Sequence, residues 1–147
     1  MEISREGGFL IAKIHQVSGR IFADKLKEHQ IDEINPSQGR ILFALWQKDG
    51  ISIQELGERT SLEKSTLTSM LDRLEGIGYL RRVPSPDDRR KILIFLTEKN
   101  KTMKERYEQV SNEMLELFYR GFSEDEIQHF EEDLRKVLAN LVLFEKS

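Results

Sequence analysis

The sequence predicts a mainly α-helical fold carrying one small β-hairpin wing, with the hairpin and two short helices set between longer helices. Three patterns predict it. Apolar residues recur at three- and four-residue spacing near both ends of the chain, which is the helical period. In the middle, two short helix signals are separated only by Thr60-Ser61-Leu62. Just after them, two β-prone runs flank a proline-pinned polar tip, the signature of a long-looped hairpin.

From Gly8 to Gln30, Leu10, Ile14, Val17 and Ile21 form an apolar stripe widened by Ile11, Phe22 and Leu26; so wide a stripe needs a second surface to cover it. Asn35-Pro36-Ser37-Gln38 is a strong helix start, with Asn at the cap, Pro at the first position and Gln at the third. That helix runs through Ile41, Leu42, Leu45 and Trp46 and stops before Asp49-Gly50. Ser52 and Glu55 have capping-box spacing ahead of a short helix ending at Thr60. A second helix spans Glu63 to Ile77, where Gly78 ends it. Tyr79–Val83 and Ile92–Leu96 read as strands around Pro84-Ser85-Pro86-Asp87-Asp88-Arg89-Arg90. Thr97 is the expected cap of the next helix, which contains Met103, Tyr107, Val110, Met114, Leu117 and Phe118 and is interrupted by Gly121. Ser123 and Glu126 form another capping box before the last helix, which carries Ile127, Phe130, Leu134, Val137, Leu138, Leu141 and Phe144. The outer stripes are covered either within a monomeric bundle or by doubling across a two-fold axis. The expected organisation is an N-terminal helix region (1–34), a helix–helix–hairpin module (35–97) and C-terminal helices (98–147).

Composition narrows the function. A chain of 147 residues with 38% hydrophobic and 33% charged residues can fill a core and keep a solvated surface. With no cysteine, a disulfide framework, thiolate metal cluster or cysteine redox chemistry is excluded. There is no apolar run of membrane-spanning length, and MEISREGG lacks a signal-peptide core, so the expected location is cytoplasmic with no membrane partner. No His-x-x-His, glycine-rich phosphate loop or nucleophile elbow is present. The chain is therefore not expected to be an enzyme, and no cofactor is implied. His15 and His129, with Asp24, Glu131 or Asp133, can be imagined as metal ligands across a dimer, but zinc favours close-set ligands with a supporting shell; no metal is expected.

Charge is uneven. The net charge is −3 overall, yet residues 39–97 carry ten basic against eight acidic groups and lean basic, through Arg81, Arg82, Arg89, Arg90 and Lys91. In the second short helix Leu67, Leu71 and Leu74 form an inward face, leaving Lys64, Ser65, Thr68, Ser69, Asp72 and Arg73 wholly or partly on the other, with Thr66 near its edge. Small hydroxyls near a helix N-terminus allow close approach to a major groove, and the helix end itself favours anions. The same residues also suit ordinary caps and a solvated face. Arg90 on a projecting tip can enter a minor groove, with Arg89 beside it and Asp88 two residues earlier to hold it. A purely structural Asp88–Arg90 salt bridge is the alternative.

On these residues the whole chain resembles the MarR family of winged helix-turn-helix transcriptional regulators. The matching stretches are INPSQGRILFAL and the run from Ile51 to Thr97, with the long helices on either side. The most diagnostic part is Arg81-Arg82, then Pro86-Asp87-Asp88-Arg89-Arg90, then Leu96-Thr97; the family's Asp-x-Arg wing signature falls on Asp88 and Arg90. Asn100 stands where the family often has glycine, and asparagine tolerates unusual backbone angles. The resemblance implies a homodimer joined by its terminal helices and bound to pseudo-palindromic double-stranded DNA. The helix at Glu63–Ile77 would lie in the major groove and Arg90 in the minor groove, with Ser37, Gln38 and Arg73 positioning phosphate. It further implies a repressor released by a small aromatic or anionic effector, held in a crevice whose candidates are His15, Arg20, Phe43, Trp46 and Tyr107. Trp46 has the alternative of simple core filling. Without cysteine, the thiol-oxidation sensing of one branch of the family is excluded. A protein-interaction module on the same scaffold, or a metal-dependent sensor, are the rival readings.

Overall fold

A computed structural model describes residues 4–147. The elements run α1 (Gly7–Glu28), α2 (Pro36–Gln47), β1 (Ile51–Ser52), α3 (Ile53–Thr60), α4 (Lys64–Gly76), β2 (Leu80–Pro84), β3 (Ile92–Leu96), α5 (Asn100–Phe118) and α6 (Glu124–Lys146). The chain forms two compact units, one reaching Val110 and the other comprising Ser111–Ser147, so the division falls inside α5.

The first unit is organised around a core that includes Leu26, Ile41, Leu42, Leu45, Leu56, Leu67, Leu71, Leu74, Leu80, Ile94, Met103 and Val110, all fully buried. Each such side chain contributes on the order of 2 kcal/mol when withdrawn from water. The helix starts follow the sequence chemistry. Asn35 and Gln38 close a reciprocal capping box at α2, with Asn35 Oδ1 accepting the Gln38 amide at 2.9 Å and Gln38 Oε1 the Asn35 amide at 3.0 Å. Ser52 Oγ accepts the Glu55 amide at 3.1 Å at α3. Gly78, with φ +89°, makes the turn from α4 into β2, a conformation glycine adopts without steric cost.

The sheet has three antiparallel strands in the order β1-β3-β2. The hairpin pairs Leu80 with Leu96, Arg82 with Ile94 and Pro84 with Ile92. The two-residue strand β1, which the sequence did not reveal, pairs Ile51 with Ile94 and Ser52 with Leu93. Ser52 thus ends a strand and caps a helix at once. Thr97 does not cap α5. Its hydroxyl donates to the Gly78 carbonyl at 2.5 Å, tying the end of β3 to the α4–β2 turn. The first helical residue is Asn100, which is buried; its side-chain amide donates to the Thr97 carbonyl and its Oδ1 accepts the Trp46 indole N–H at 2.9 Å. Asparagine is explained here by hydrogen bonding rather than by an unusual backbone angle.

In the second unit Gly121, with φ +88°, separates α5 from α6, and Ser123 with Glu126 closes the α6 capping box. Phe118, Tyr119, Phe122 and Phe130 form an aromatic cluster with ring centroids 5.0 to 6.3 Å apart. Tyr119 donates to Glu131 at 2.6 Å. No residue of α6 is buried.

Candidate nucleic-acid interface

Leu67, Leu71 and Leu74 anchor α4 in the core, which turns Lys64, Ser65, Thr66, Thr68, Ser69, Asp72 and Arg73 to solvent. Thr66 is exposed with the others. The tight turn ahead of α4 places Ser61 in the left-handed region, with φ +57°. Glu63 occupies the N-cap without making a side-chain cap, so the first-turn amides of α4 have no side-chain acceptor and the positive end of the helix is open. Among the described residues no carboxylate lies within salt-bridge distance of Lys64, Arg73 or Arg89.

The wing tip is braced from within. Ser85 is buried, its amide donates to the Lys91 carbonyl at 2.8 Å, and its Oγ accepts the amides of Asp87 and Asp88 at 3.2 and 3.4 Å. Asp88 Oδ1 accepts both the Arg90 amide at 3.0 Å and Arg90 Nε at 3.3 Å. These bonds to Arg90, the backbone one foremost, hold the Asp88 carboxyl below its ordinary pKa. The Arg90 side chain is nevertheless 92% exposed, a cation with its stem tethered and its far guanidinium edge open.

Arg82 behaves differently from its neighbours. Its guanidinium meets Asp72 and Glu75 of α4, each at 2.7 Å. The basic excess counted along the wing is therefore smaller in space than in sequence, because these two acids reach Arg82 from the neighbouring helix. Side-chain and backbone hydrogen bonds from Arg82 lower the Glu75 pKa, and the side-chain bonds that Arg82 donates to Glu75 and then to Asp72 raise its own.

The phosphate candidates on α2 separate. Ser37 is half-buried in the first helical turn, whereas Gln38 is 5% exposed and occupied by the capping box. The effector candidates also separate. His15 and Arg20 are exposed on α1, and Phe43 on α2 is 49% exposed. Tyr107 is buried between Phe22 and Trp46, with ring centroids at 5.6 and 5.1 Å in edge-on contact. Burial pushes the Tyr107 phenol up to about 12. Tyr107 is thus part of the core of the first unit, and the half-buried Trp46 packs against it. The Trp46 indole N–H donates to Asn100 Oδ1. Among the described residues there is no cluster of three or more His, Asp or Glu side chains able to hold a metal ion, and no helix is long and apolar enough to cross a membrane.

The MarR family's sequence model matches residues 34–92, the stretch from the α2 cap to the start of β3. The transcriptional regulator SarZ of Staphylococcus haemolyticus is 30% identical over 115 residues, which cover 78% of this chain and 75% of SarZ. TtmR of Methylorubrum extorquens is 38% identical over 86 residues, 58% of this chain, and the match spans 43% of TtmR's length. Among solved structures, a mutant MarR from E. coli complexed with operator DNA superposes with a TM-score of 0.78 at 30% identity, covering 89% of this chain and 92% of that one. By sequence over most of its length and by the order of its helices and wing, this chain belongs to the MarR family of winged helix-turn-helix transcriptional regulators.

Proposed function

We propose that the protein is a homodimeric regulator that binds a pseudo-palindromic double-stranded operator, acting as a repressor released by a small-molecule effector. The observation that carries this reading is the pairing of an exposed Lys64–Arg73 face on α4 with the tethered, projecting Arg90 of the wing. Lys64, Ser65, Thr66, Thr68 and Ser69 address the major groove, and Asp88 orients Arg90 for the minor groove with Arg89 beside it. Arg73 and Ser37 meet phosphate. Gln38 acts behind them, fixing the α2 start through its cap.

Dimerisation is supported separately by each unit. Phe9, Leu10, Ile11, Ile14 and Val17 of α1 are exposed large apolar residues, and so are Val137, Leu138, Leu141, Leu143 and Phe144 of α6. Apolar surface on this scale marks an interaction site. Two recognition helices about 34–36 Å apart would then enter successive major grooves. An effector that binds a different spacing more tightly shifts the population away from the DNA-competent form. A small aromatic or anionic molecule suits His15, Arg20 and Phe43, with Trp46 and Tyr107 as the wall behind them.

The test is selection of duplexes from a random pool, combined with light scattering of the free protein. The expected result is a dimer that enriches an inverted repeat with half-sites one helical turn apart. A monomer at micromolar concentration that enriches no duplex over bulk competitor overturns the proposal. For the effector, Trp46 is the only tryptophan. Aromatic carboxylates that release the operator should also change its fluorescence, and release with no such change would place the effector elsewhere.

A further inference from the structure

We propose that Arg82 is a positioning residue: its guanidinium fork clamps the outer half of the wing to the recognition helix, fixing where Arg90 sits relative to α4. The inference rests on the DNA-binding reading above and adds to it the residue that sets the offset between the two groove contacts. The buried apolar part of the hairpin ends at Leu80 and Ile94, and Arg82 stands opposite Ile94 in the register. Beyond that rung Val83, Leu93 and Ile92 are only half-buried and Pro84 is exposed, so apolar packing weakens where the wing begins to project.

Four bonds take over at this point. Arg82 Nη2 lies 2.7 Å from Asp72 Oδ1 and 2.7 Å from Glu75 Oε1, and Nε lies 3.1 Å from the same Glu75 oxygen. The Arg82 backbone amide donates to Glu75 Oε2 at 2.9 Å. Asp72 and Glu75 are one turn apart on α4, so the fork spans two helix positions while its own backbone is pinned by one of them. A planar guanidinium fixes direction in this way; a lysine ammonium, as a point charge on a flexible stem, does not.

The clamp is testable without DNA, because the chain has no cysteine. Spin labels at Glu63→Cys and Asp87→Cys, diluted with unlabelled chain, report the distance from the start of α4 to the wing tip. In wild type the distance distribution should be narrow. In Arg82→Gln and in Arg82→Lys it should broaden about twofold, while thermal melting confirms that each variant is folded. Glu75→Gln, which leaves Arg82 in place, gives a second route to the same broadening if Arg82→Gln fails to fold. A wild-type width in Arg82→Gln or Glu75→Gln overturns the clamp. A wild-type width in Arg82→Lys overturns the fork and leaves charge neutralisation alone. On a selected operator, Arg82→Gln should lose the minor-groove protection of the wing and keep the major-groove protection of α4; equal retention of both overturns the proposal. If wild type protects no duplex, the regulatory reading falls, and the label distances still decide the clamp.

Discussion

Replacing Gly39 with alanine sets two effects of similar size against each other. A Cβ at this position would lie 2.6 Å from the Tyr107 hydroxyl oxygen, 2.7 Å from its Cε2 and 2.9 Å from its Cζ. The ring has little room to retreat, since Phe22 and Trp46 hold it edge-on from two sides. Overpacking a close-packed core costs about 1–3 kcal/mol, and three clashing atoms on one boxed ring place this case in the upper half of that range. Against it, Gly→Ala inside a helix contributes about 1 kcal/mol of stabilisation. The expected net effect is a loss of about 1–2 kcal/mol, read from urea unfolding followed by Trp46 fluorescence and far-UV circular dichroism. In a Tyr107→Leu background the clash is gone, so Gly39→Ala should become neutral or stabilising. The resulting coupling should be at least about 1 kcal/mol, as for residues in direct contact. A Gly39→Ala variant more stable than wild type by the full helix-propensity gain would refute the close seating of Tyr107 on α2.

At the interface, Arg90→Ala should weaken operator binding several-fold while light scattering shows the dimer unchanged. Lys64→Ala should flatten the dependence of log K on log salt by about 0.9 for each phosphate that the missing ammonium neutralised. Anisotropy titrations at several salt concentrations in which both variants match wild type would refute these assignments. The three tyrosines provide an alkaline test. Burial first, joined at Tyr79 by Glu33 and at Tyr119 by Glu131, pushes each phenol up to about 12, against about 10 in an unfolded chain. The folded state therefore holds protons that the unfolded state has released. The associated stability is intact below pH 10 and is lost as pH rises towards 12. Near-ultraviolet tyrosinate absorbance should stay low until the protein unfolds; early titration of Tyr79 or Tyr107 at the ordinary tyrosine pKa would contradict its burial.

Local signals carried much of the architecture. The Asn35–Gln38 and Ser123–Glu126 boxes, the Ser52 cap and the leucine face of α4 are short-range patterns, and each is where the residues placed it. What escaped the sequence depends on partners distant along the chain. Strand β1 is two residues long and exists only because Ile51 finds Ile94, a pairing with no local period to announce it. Thr97 looked like a cap because it precedes a helix, but the Gly78 carbonyl, brought close by the hairpin, takes its hydroxyl. Asn100 looked like a backbone accommodation until Trp46 supplied it with a hydrogen-bond donor. At the candidate interface, the exposed face of α4 and the Asp88–Arg90 bond were legible because both lie within a few residues. The neutralisation of Arg82 and the burial of Tyr107 were not, since each is decided by a neighbouring element.

The double duty of Ser52 limits how the wing can vary. Its backbone pairs with Leu93 while its hydroxyl holds the first turn of α3, so a shift of β3 by one residue would unseat the helix start as well as reverse the faces of the strand. Insertions and deletions should then be tolerated only between Ser85 and Lys91, outside the paired rungs. A change of reach into the groove would come from longer or shorter tips, with the stem left at constant length.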